Sequence, residues 1–298
     1  MIEIPSDPTI TYLRAEIRPL EGAGHFSFDA SNELLAFLKA GQDTPGLWEL
    51  NIWSVGFQLG PGDVGVTSYR WHQTRPRHVA AVTVDFNGRA ELTTFTFDQE
   101  RLPPQANTIT AIGDDQFLVA WGDYGFVVVR YDPLLDTDVT SVIDHEGNVV
   151  WQSENTTALD ASPNQILILR VGGEHAVIDA TNPGMMETAE TLFTLPHEGT
   201  VTGSDFASDG QLAVHYPLEG RNWNLRIYDA DLTSPTDVEL AGWRVWDLTW
   251  SPDNRFILMP GTDDEGRHVV VFYDTSTREL SFVDFHDWVH WAALTPAP

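Results

Sequence analysis

The chain has 298 residues, 42% of them hydrophobic and 11% aromatic, which is enough to bury a sizeable core. Its formal net charge of −28 repels the phosphates of nucleic acids and anionic membrane surfaces, so we expect neither as a partner. Cysteine is absent, which excludes disulfides, thiolate chemistry and Cys-based zinc sites.

The N-terminal stretch Met1–Leu20 lacks the basic start and apolar core of a signal peptide. No apolar run reaches the ~18 residues that a membrane-spanning helix requires. We therefore expect a cytoplasmic protein without a membrane partner.

Strand patterns dominate the chain from residue 32 onwards. Asn32–Ala40 could pass for a helix, but the repeat described below places a strand over Leu34–Leu38. The nearly continuous apolar runs Phe126–Tyr131 and His268–Tyr273 are typical of strands covered on both faces. A turn containing glycine or acidic residues precedes each run, which predicts a series of short antiparallel strands.

A marker recurs at the end of these strands at intervals of 34 to 50 residues, the shortest between the second and third units. It consists of an aromatic or aliphatic residue followed by aspartate. The pairs are Phe97-Asp98, Tyr131-Asp132, Ile178-Asp179, Tyr228-Asp229 and Tyr273-Asp274, and Trp53-Ser54 stands in the same place in the first unit.

A longer motif accompanies the fifth unit. Its residues are Leu195, His197, Val201, Phe206, Asp209 and Gly210, and a second copy begins at Leu240 and continues through Val245, Trp250, Ser251, Pro252 and Asp253. One supersecondary unit repeated at this period indicates a repeat architecture.

These motifs resemble those of the WD-repeat β-propeller family. Residues 195–229 match the family best, through His197, Asp209-Gly210 and Tyr228-Asp229, and residues 240–274 match without the histidine. The resemblance implies blades of four strands, and the family's Trp-Asp pair never occurs at the marker. A more distant bacterial propeller is an equal alternative to a genuine WD-repeat protein.

The resemblance predicts an all-β propeller with six complete four-stranded blades in one domain. The blades span roughly 21–60, 61–105, 106–155, 156–199, 200–243 and 244–286. Residues 289–296 look like the first strand of a partial seventh blade, and a strand over Thr9–Arg18 could close it.

For the repeated aspartates and histidines, we expect a structural role in each blade and not a catalytic one. Because Asp132, Asp179, Asp229 and Asp274 recur once per blade, they cannot converge on one site, and turn hydrogen bonding explains them. The resemblance implies that His197 ties Asp209 and the backbone within a blade, and His25 has the same place in the first unit.

Two acidic turns offer alternatives. Asp144, Gly147 and Trp151 resemble the Asp-box of sialidases, or form only a hairpin turn. The run Asp263–Gly266 could offer oxygens to calcium, or form a solvated turn. We expect the turn in both cases, and predict no metal and no cofactor.

Two groups of residues are candidates for binding. The basic, aromatic cluster lies at a turn of the second blade, where arginine could bind carboxylate or phosphate, or pair with acids of the chain itself. The tryptophans lie in loops near one rim. The candidates are Arg70, Trp71, His72, Arg75, Arg77, Trp223, Trp243, Trp246 and Trp288.

The composition and the resemblance together favour a non-catalytic scaffold for a basic or mixed-charge protein partner. A carbohydrate- or small-molecule-acting propeller and a structural subunit of a larger assembly remain alternatives, because one fold hosts many functions. The sequence leaves the oligomeric state open.

Overall fold

The computed structural model describes residues 23–31, 34–40, 48–52, 57–59, 64–98, 101–113, 115–132, 137–170, 173–181, 191–194, 201–218, 223–251 and 253–284. These residues fall in two compact units, an N-terminal unit that ends at Thr191 and a C-terminal unit that begins at Leu192. Every regular element described is a β-strand. The described part of the chain contains no helix long and apolar enough to cross a membrane.

The N-terminal unit opens with two groups of four strands. The first group is β1 (Ala23–Phe28), β2 (Leu35–Ala40), β3 (Trp48–Ile52) and β4 (Phe57–Leu59). The second is β5 (Val64–Trp71), β6 (His78–Asp85), β7 (Ala90–Asp98) and β8 (Arg101–Ile112). A single β3–β5 pair, Trp48 opposite Val66, joins both groups into one antiparallel sheet.

Two further sheets follow in the N-terminal unit. One contains β9 (Gln116–Gly122), β10 (Gly125–Asp132), β11 (Thr137–Ile143) and β12 (Val149–Glu154), paired in chain order. The next contains β13 (Thr156–Ala161), β14 (Gln165–Arg170) and β15 (Glu174–Asp179), and β16 (Thr191–Thr194) begins where the unit ends.

The C-terminal unit repeats the pattern twice. The first sheet pairs β17 (Gly203–Phe206), β18 (Leu212–Pro217), β19 (Trp223–Tyr228) and β20 (Thr236–Glu239) in chain order. The second contains β21 (Trp243–Val245), β22 (Thr249–Trp250), β23 (Phe256–Asp263), β24 (His268–Asp274) and β25 (Glu279–Asp284). Both short strands β21 and β22 pair with β23, so together they replace one inner strand.

The middle strands of the sheets are the buried ones, as their sequences predict. In β6, every residue between His78 and Asp85 is buried, because apolar side chains on both faces pack against neighbouring sheets. The outer strand β12 is largely exposed. Burial thus falls from the middle of a sheet towards its outer edge.

The six predicted four-strand units are present in the described residues, with corrections to two boundaries and one marker. The predicted boundary between residues 105 and 106 is wrong, because it cuts through β8, which pairs with β7 from Arg101 to Ile112. The boundary between residues 243 and 244 is wrong too, because it cuts through β21, which pairs with β23 from Trp243 to Val245. The predicted marker Tyr131-Asp132 ends β10, the second strand of its sheet, whereas the other described markers end third strands. The equivalent third strand, β11, ends at Ile143, directly before Asp144.

One turn connects strands in three of the sheets. In the turn from β6 to β7, Asp85 Oδ1 accepts the N–H groups of Asn87 (2.8 Å) and Arg89 (2.9 Å). Gly88 takes a positive φ of 77° that favours glycine. Asp144 and Asp263 head the same Asp-x-x-Gly turn, so the hairpin interpretation holds for both.

The predicted closing strand Thr9–Arg18 and the seventh-blade strand at 289–296 lie outside the described residues. The prediction of one domain is therefore left as a prediction.

Candidate functional site

The residues of the predicted basic cluster occupy different environments in the folded chain. The Trp71 indole is buried, packs near Phe97 and donates its Nε1–H to the Ser27 carbonyl at 3.1 Å. Its candidacy as a binding residue is corrected, because the alternating faces of β5 direct it into the core. Arg70 donates from Nε to the Val119 carbonyl at 2.6 Å.

The loop after β5 forms a polar cluster with the loop after β9. Arg75 Nη2 pairs with Asp123 Oδ1, and Thr74 Oγ1 lies 3.5 Å from Asp123 Oδ2. His145, from the β11–β12 turn, is 3.3 Å from the Asp123 carbonyl. For Arg75 the structure favours the intramolecular alternative, pairing with an acid of the chain itself.

His72 lies beneath this cluster with none of its surface exposed. Its Nδ1 accepts the backbone N–H groups of Thr74 (3.2 Å) and Arg75 (3.1 Å), so the ring proton sits on Nε2. Nε2 is 3.6 Å from Asp123 Oδ1. Burial, together with the nearby Arg75 charge, lowers the pKa of His72 to about 4.

These contacts exclude His72 as a general base. A base needs a free lone pair within hydrogen-bonding reach of a substrate proton. Both donors to Nδ1 are backbone groups of the same loop, and Nε2 already carries the proton. The cluster therefore orders the loop and does not supply an acid–base pair through His72.

Gln73 connects three sheets of the N-terminal unit. Its Nε2 donates to the Ala161 carbonyl at the end of β13, and its Oε1 accepts the Tyr124 hydroxyl at 3.2 Å. The Gln73 backbone N–H donates to the Trp121 carbonyl at 3.1 Å. Arg77, at φ 62°, donates its N–H to Asp29 Oδ2 at 2.9 Å. The predicted cluster thus contributes several contacts between strand groups.

The three described tryptophans among the binding candidates, all in the C-terminal unit, differ in exposure. Trp223 and Trp243 are partly buried against the core, where Trp223 lies 5.6 Å from the His215 ring and Trp243 lies 5.8 Å from the Phe282 ring. Trp246 is 47% exposed. Trp288 lies outside the described residues.

The surface around Trp246 is acidic. The Trp246 ring meets the exposed His268 ring edge-on at 6.0 Å, and exposed Asp247 follows it in the chain. The turn that leads into His268 adds exposed Asp264 and Glu265. We call Trp246, Asp247, Asp264, Glu265 and His268 the Trp246 surface.

Two arginines partly offset its charge. Arg267 pairs with Asp263 at 2.6 Å and with Glu265 at 3.4 Å, and exposed Arg244 lies on β21. Asp263 is thus engaged within its own turn. Among the described residues, no group of three or more His, Asp or Glu side chains is arranged to hold a metal ion.

Asp205 supports the segment that carries Trp246. Its Oδ2 accepts the N–H of Trp250 (2.7 Å) and the hydroxyl of Thr249 (2.9 Å). Burial, and to a lesser degree the charge of Asp247, raises the pKa of Asp205 to about 6. Asp205 is not among the residues predicted from the sequence, although it stands inside the longer motif, directly before Phe206.

The repeated aspartates occupy turns. Asp179 accepts from Thr181, Asp209 from Gln211, and Asp229 from Thr233 and Ser234. Asp274 accepts from Ser276 and pairs with Arg255 at 2.9 Å. His197 lies outside the described residues, as do the side chains of His25 and Asp132.

No family model matches the chain, and no curated protein matches it by sequence. Solved structures do match. Sqt1 of Chaetomium thermophilum bound to the N-terminus of ribosomal protein L10 gives a TM-score of 0.57 at 10% identity, over 88% of this chain and 74% of that chain.

Two enzymes share the likeness. An oligogalacturonate lyase in complex with manganese gives a TM-score of 0.62 at 14% identity, over 87% of this chain and 76% of that chain. A puromycin-hydrolyzing peptidase of Mycobacterium tuberculosis gives 0.54 at 13% identity, over 84% of this chain and 43% of that chain. At such identities the likeness shows the fold alone. The chain is an all-β protein with the β-propeller fold.

Proposed function

We propose that the protein is a non-catalytic interaction scaffold that binds a basic or mixed-charge protein segment on the Trp246 surface. The observation that carries this proposal is the half-exposed Trp246 ring, with an exposed carboxylate next to it in the chain at Asp247 and two more in the turn that leads into its ring neighbour His268. Tryptophan is enriched among the residues that dominate binding energy at protein interfaces. The acidic chain would speed the approach of a basic partner.

The likeness to Sqt1 supports the proposal by analogy, since that propeller is seen with the N-terminus of a ribosomal protein. A protein that shares this fold can thus bind the terminus of another protein. The surroundings of His72 are also consistent with a non-catalytic role, because its Nδ1 accepts two backbone N–H groups of its own loop and its ring is fully buried.

Trp246→Ala tests the proposal, with Phe86→Ala as the matched control. Phe86 is 82% exposed and belongs to the N-terminal unit, so its replacement removes an exposed aromatic ring that is not part of the Trp246 surface. Tagged wild-type protein and both variants are used to capture partners from an extract of the source organism, quantified by mass spectrometry.

The expected result is a stoichiometric protein that the wild type and Phe86→Ala retain and that Trp246→Ala loses by tenfold or more. The purified partner is then titrated against all three proteins. If no protein depends on Trp246, or if Phe86→Ala loses the same proteins, the proposal is overturned.

A further inference from the structure

Asp205 is connected to the Trp246 surface through the chain segment from Trp246 to Trp250. Its carboxylate accepts one hydrogen bond each from Thr249 and Trp250, and its backbone carbonyl accepts the Trp250 indole N–H at 3.0 Å. The segment from Trp246 to Trp250 therefore carries the exposed ring at one end and is bound to Asp205 at the other.

The groups that face Asp205 come from three elements. The segment before β22 contributes Asp247, whose charge acts on Asp205. Strand β22 contributes Thr249 and Trp250, neither of which carries a charge. Strand β18 places uncharged Ala213 opposite Asp205 and His215 opposite Gly203, and burial lowers the pKa of His215 to about 4, so this histidine is neutral near pH 6.

The strength with which Asp205 holds its proton follows from these surroundings. Burial and the like charge of Asp247 raise the pKa of Asp205 to about 6. A cation brought close to Asp205 and Asp247 would favour the ionised carboxylate and lower that pKa.

We propose that binding of a basic segment at the Trp246 surface expels a proton from Asp205, so that the interaction is linked to pH. This inference rests on the proposed function and adds its regulation. Because linkage is reciprocal, protonation of Asp205 weakens binding as much as binding weakens protonation. Affinity therefore falls as the pH drops through 6, and the proton carried by Asp205 competes with the partner.

The probe is a fluorescent octapeptide of alternating arginine and glycine, acetylated and amidated so that it does not titrate between pH 5.0 and 7.5. Its dissociation constant is measured by fluorescence anisotropy across this range at constant ionic strength. The wild type is expected to bind at least threefold more weakly at pH 5.0 than at pH 7.5.

Asp205→Asn removes the titrating group and is expected to give a flat profile. Asp231→Asn is the matched control, since Asp231 lies in an exposed turn of the same unit and bonds to Thr233. It removes one negative charge and is expected to keep the wild-type slope. His268→Gln, at the Trp246 surface, is also expected to keep it.

Calorimetry of the wild type in two buffers of different ionisation enthalpy gives a second readout that needs no variant. Proton release is expected near pH 6 and should vanish near pH 8. Equal affinity at pH 5.0 and 7.5, a slope that survives in Asp205→Asn, or a slope that disappears in His268→Gln overturns the linkage alone. Absence of peptide binding at pH 7.5 overturns the proposed function, and the linkage with it.

Discussion

Trp250 donates two hydrogen bonds to Asp205: its backbone N–H to the carboxylate at 2.7 Å and its indole N–H to the backbone carbonyl at 3.0 Å. Trp71 makes the equivalent indole bond to the Ser27 carbonyl in the N-terminal unit. A tryptophan on an inner strand thus ties two neighbouring groups of strands in each unit. Of the two residues that accept the indole N–H, Asp205 has an ionisable side chain and Ser27 does not.

Replacing Asp205 with asparagine is expected to stabilise the protein at pH 7.5. Because the folded-state pKa of Asp205 is raised to about 6, its contribution to stability is fully present below the unfolded pKa and is lost as the pH rises through 6. The gain should be about 1–2 kcal/mol at pH 7.5 and near zero at pH 4. Chemical unfolding of both proteins at the two pH values measures it, and a loss of stability at pH 7.5 would contradict the prediction.

The three histidines that are fully buried within the described ranges should make the protein less stable at low pH, the opposite of the effect of Asp205. Burial lowers the pKa values of His72, His175 and His215 to about 4. Below pH 6.5 the unfolded chain therefore takes up protons that the folded chain does not, and stability falls as the pH drops towards 4. Each histidine contributes about 1.4 kcal/mol per pH unit at most. Urea unfolding of the wild type and of His215→Gln between pH 7.5 and 4.5 should show a shallower decline in the variant, and identical declines would refute the assignment.

Gly203→Ala is expected to be strongly destabilising. A Cβ at this position would overlap Nε2 of His215, which is fully buried and held at Nδ1 by Thr202, and would lie 3.3 Å from Asp247 Cα. The expected cost is about 2–3 kcal/mol, as for other overpacked sites. Gly266→Ala is the control, because its φ of 78° is strained but its Cβ meets nothing within 4 Å, so it should cost about 1 kcal/mol. The midpoints of urea unfolding compare the two variants. Equal losses of stability would show that the His215 side chain moves to make room for the added methyl group.

Gln73→Ala should destabilise the N-terminal unit by about 1–2 kcal/mol. It removes hydrogen bonds to Ala161 and Tyr124, and leaves two partly buried groups without this partner. Thr74→Ala, next in the chain and exposed, is the control and should change stability by less than about 0.5 kcal/mol. Hydrogen exchange at the ends of β9 and β13 locates the effect. Unchanged protection there would mean that Gln73 does not connect the sheets.

Much of the fold could be predicted because the chain repeats. Apolar runs such as Phe126–Tyr131 mark strands covered on both faces, and they became β10 and the other middle strands. The marker misled only where one sheet changes its pattern. In that sheet both β10 and β11 end in an apolar residue followed by aspartate, at Tyr131-Asp132 and Ile143-Asp144, and the sequence alone does not show which strand is third.

The candidate site was harder to predict because it depends on contacts between distant residues. The Arg70–Arg77 cluster stood out by composition, yet the partner of Arg75 is Asp123, in a loop with no unusual sequence. Trp71 and Trp246 have similar local sequence settings, with an arginine close by, and only tertiary packing buries one and exposes the other. Asp205 resembled any strand aspartate until its bonds to Thr249 and Trp250 were visible.

The Asp-x-x-Gly turns bear on how the chain could be engineered. Asp85, Asp144 and Asp263 hold backbone N–H groups that would otherwise lack a partner in a tight hairpin. Some of the 44 acidic residues are therefore needed to form turns, and their charge is not evidence of a binding partner. A variant of lower charge should spare these aspartates and neutralise acids such as Glu154 or Glu239 on outer strands, and its solubility would then show how much acidity the folded chain needs beyond its turns.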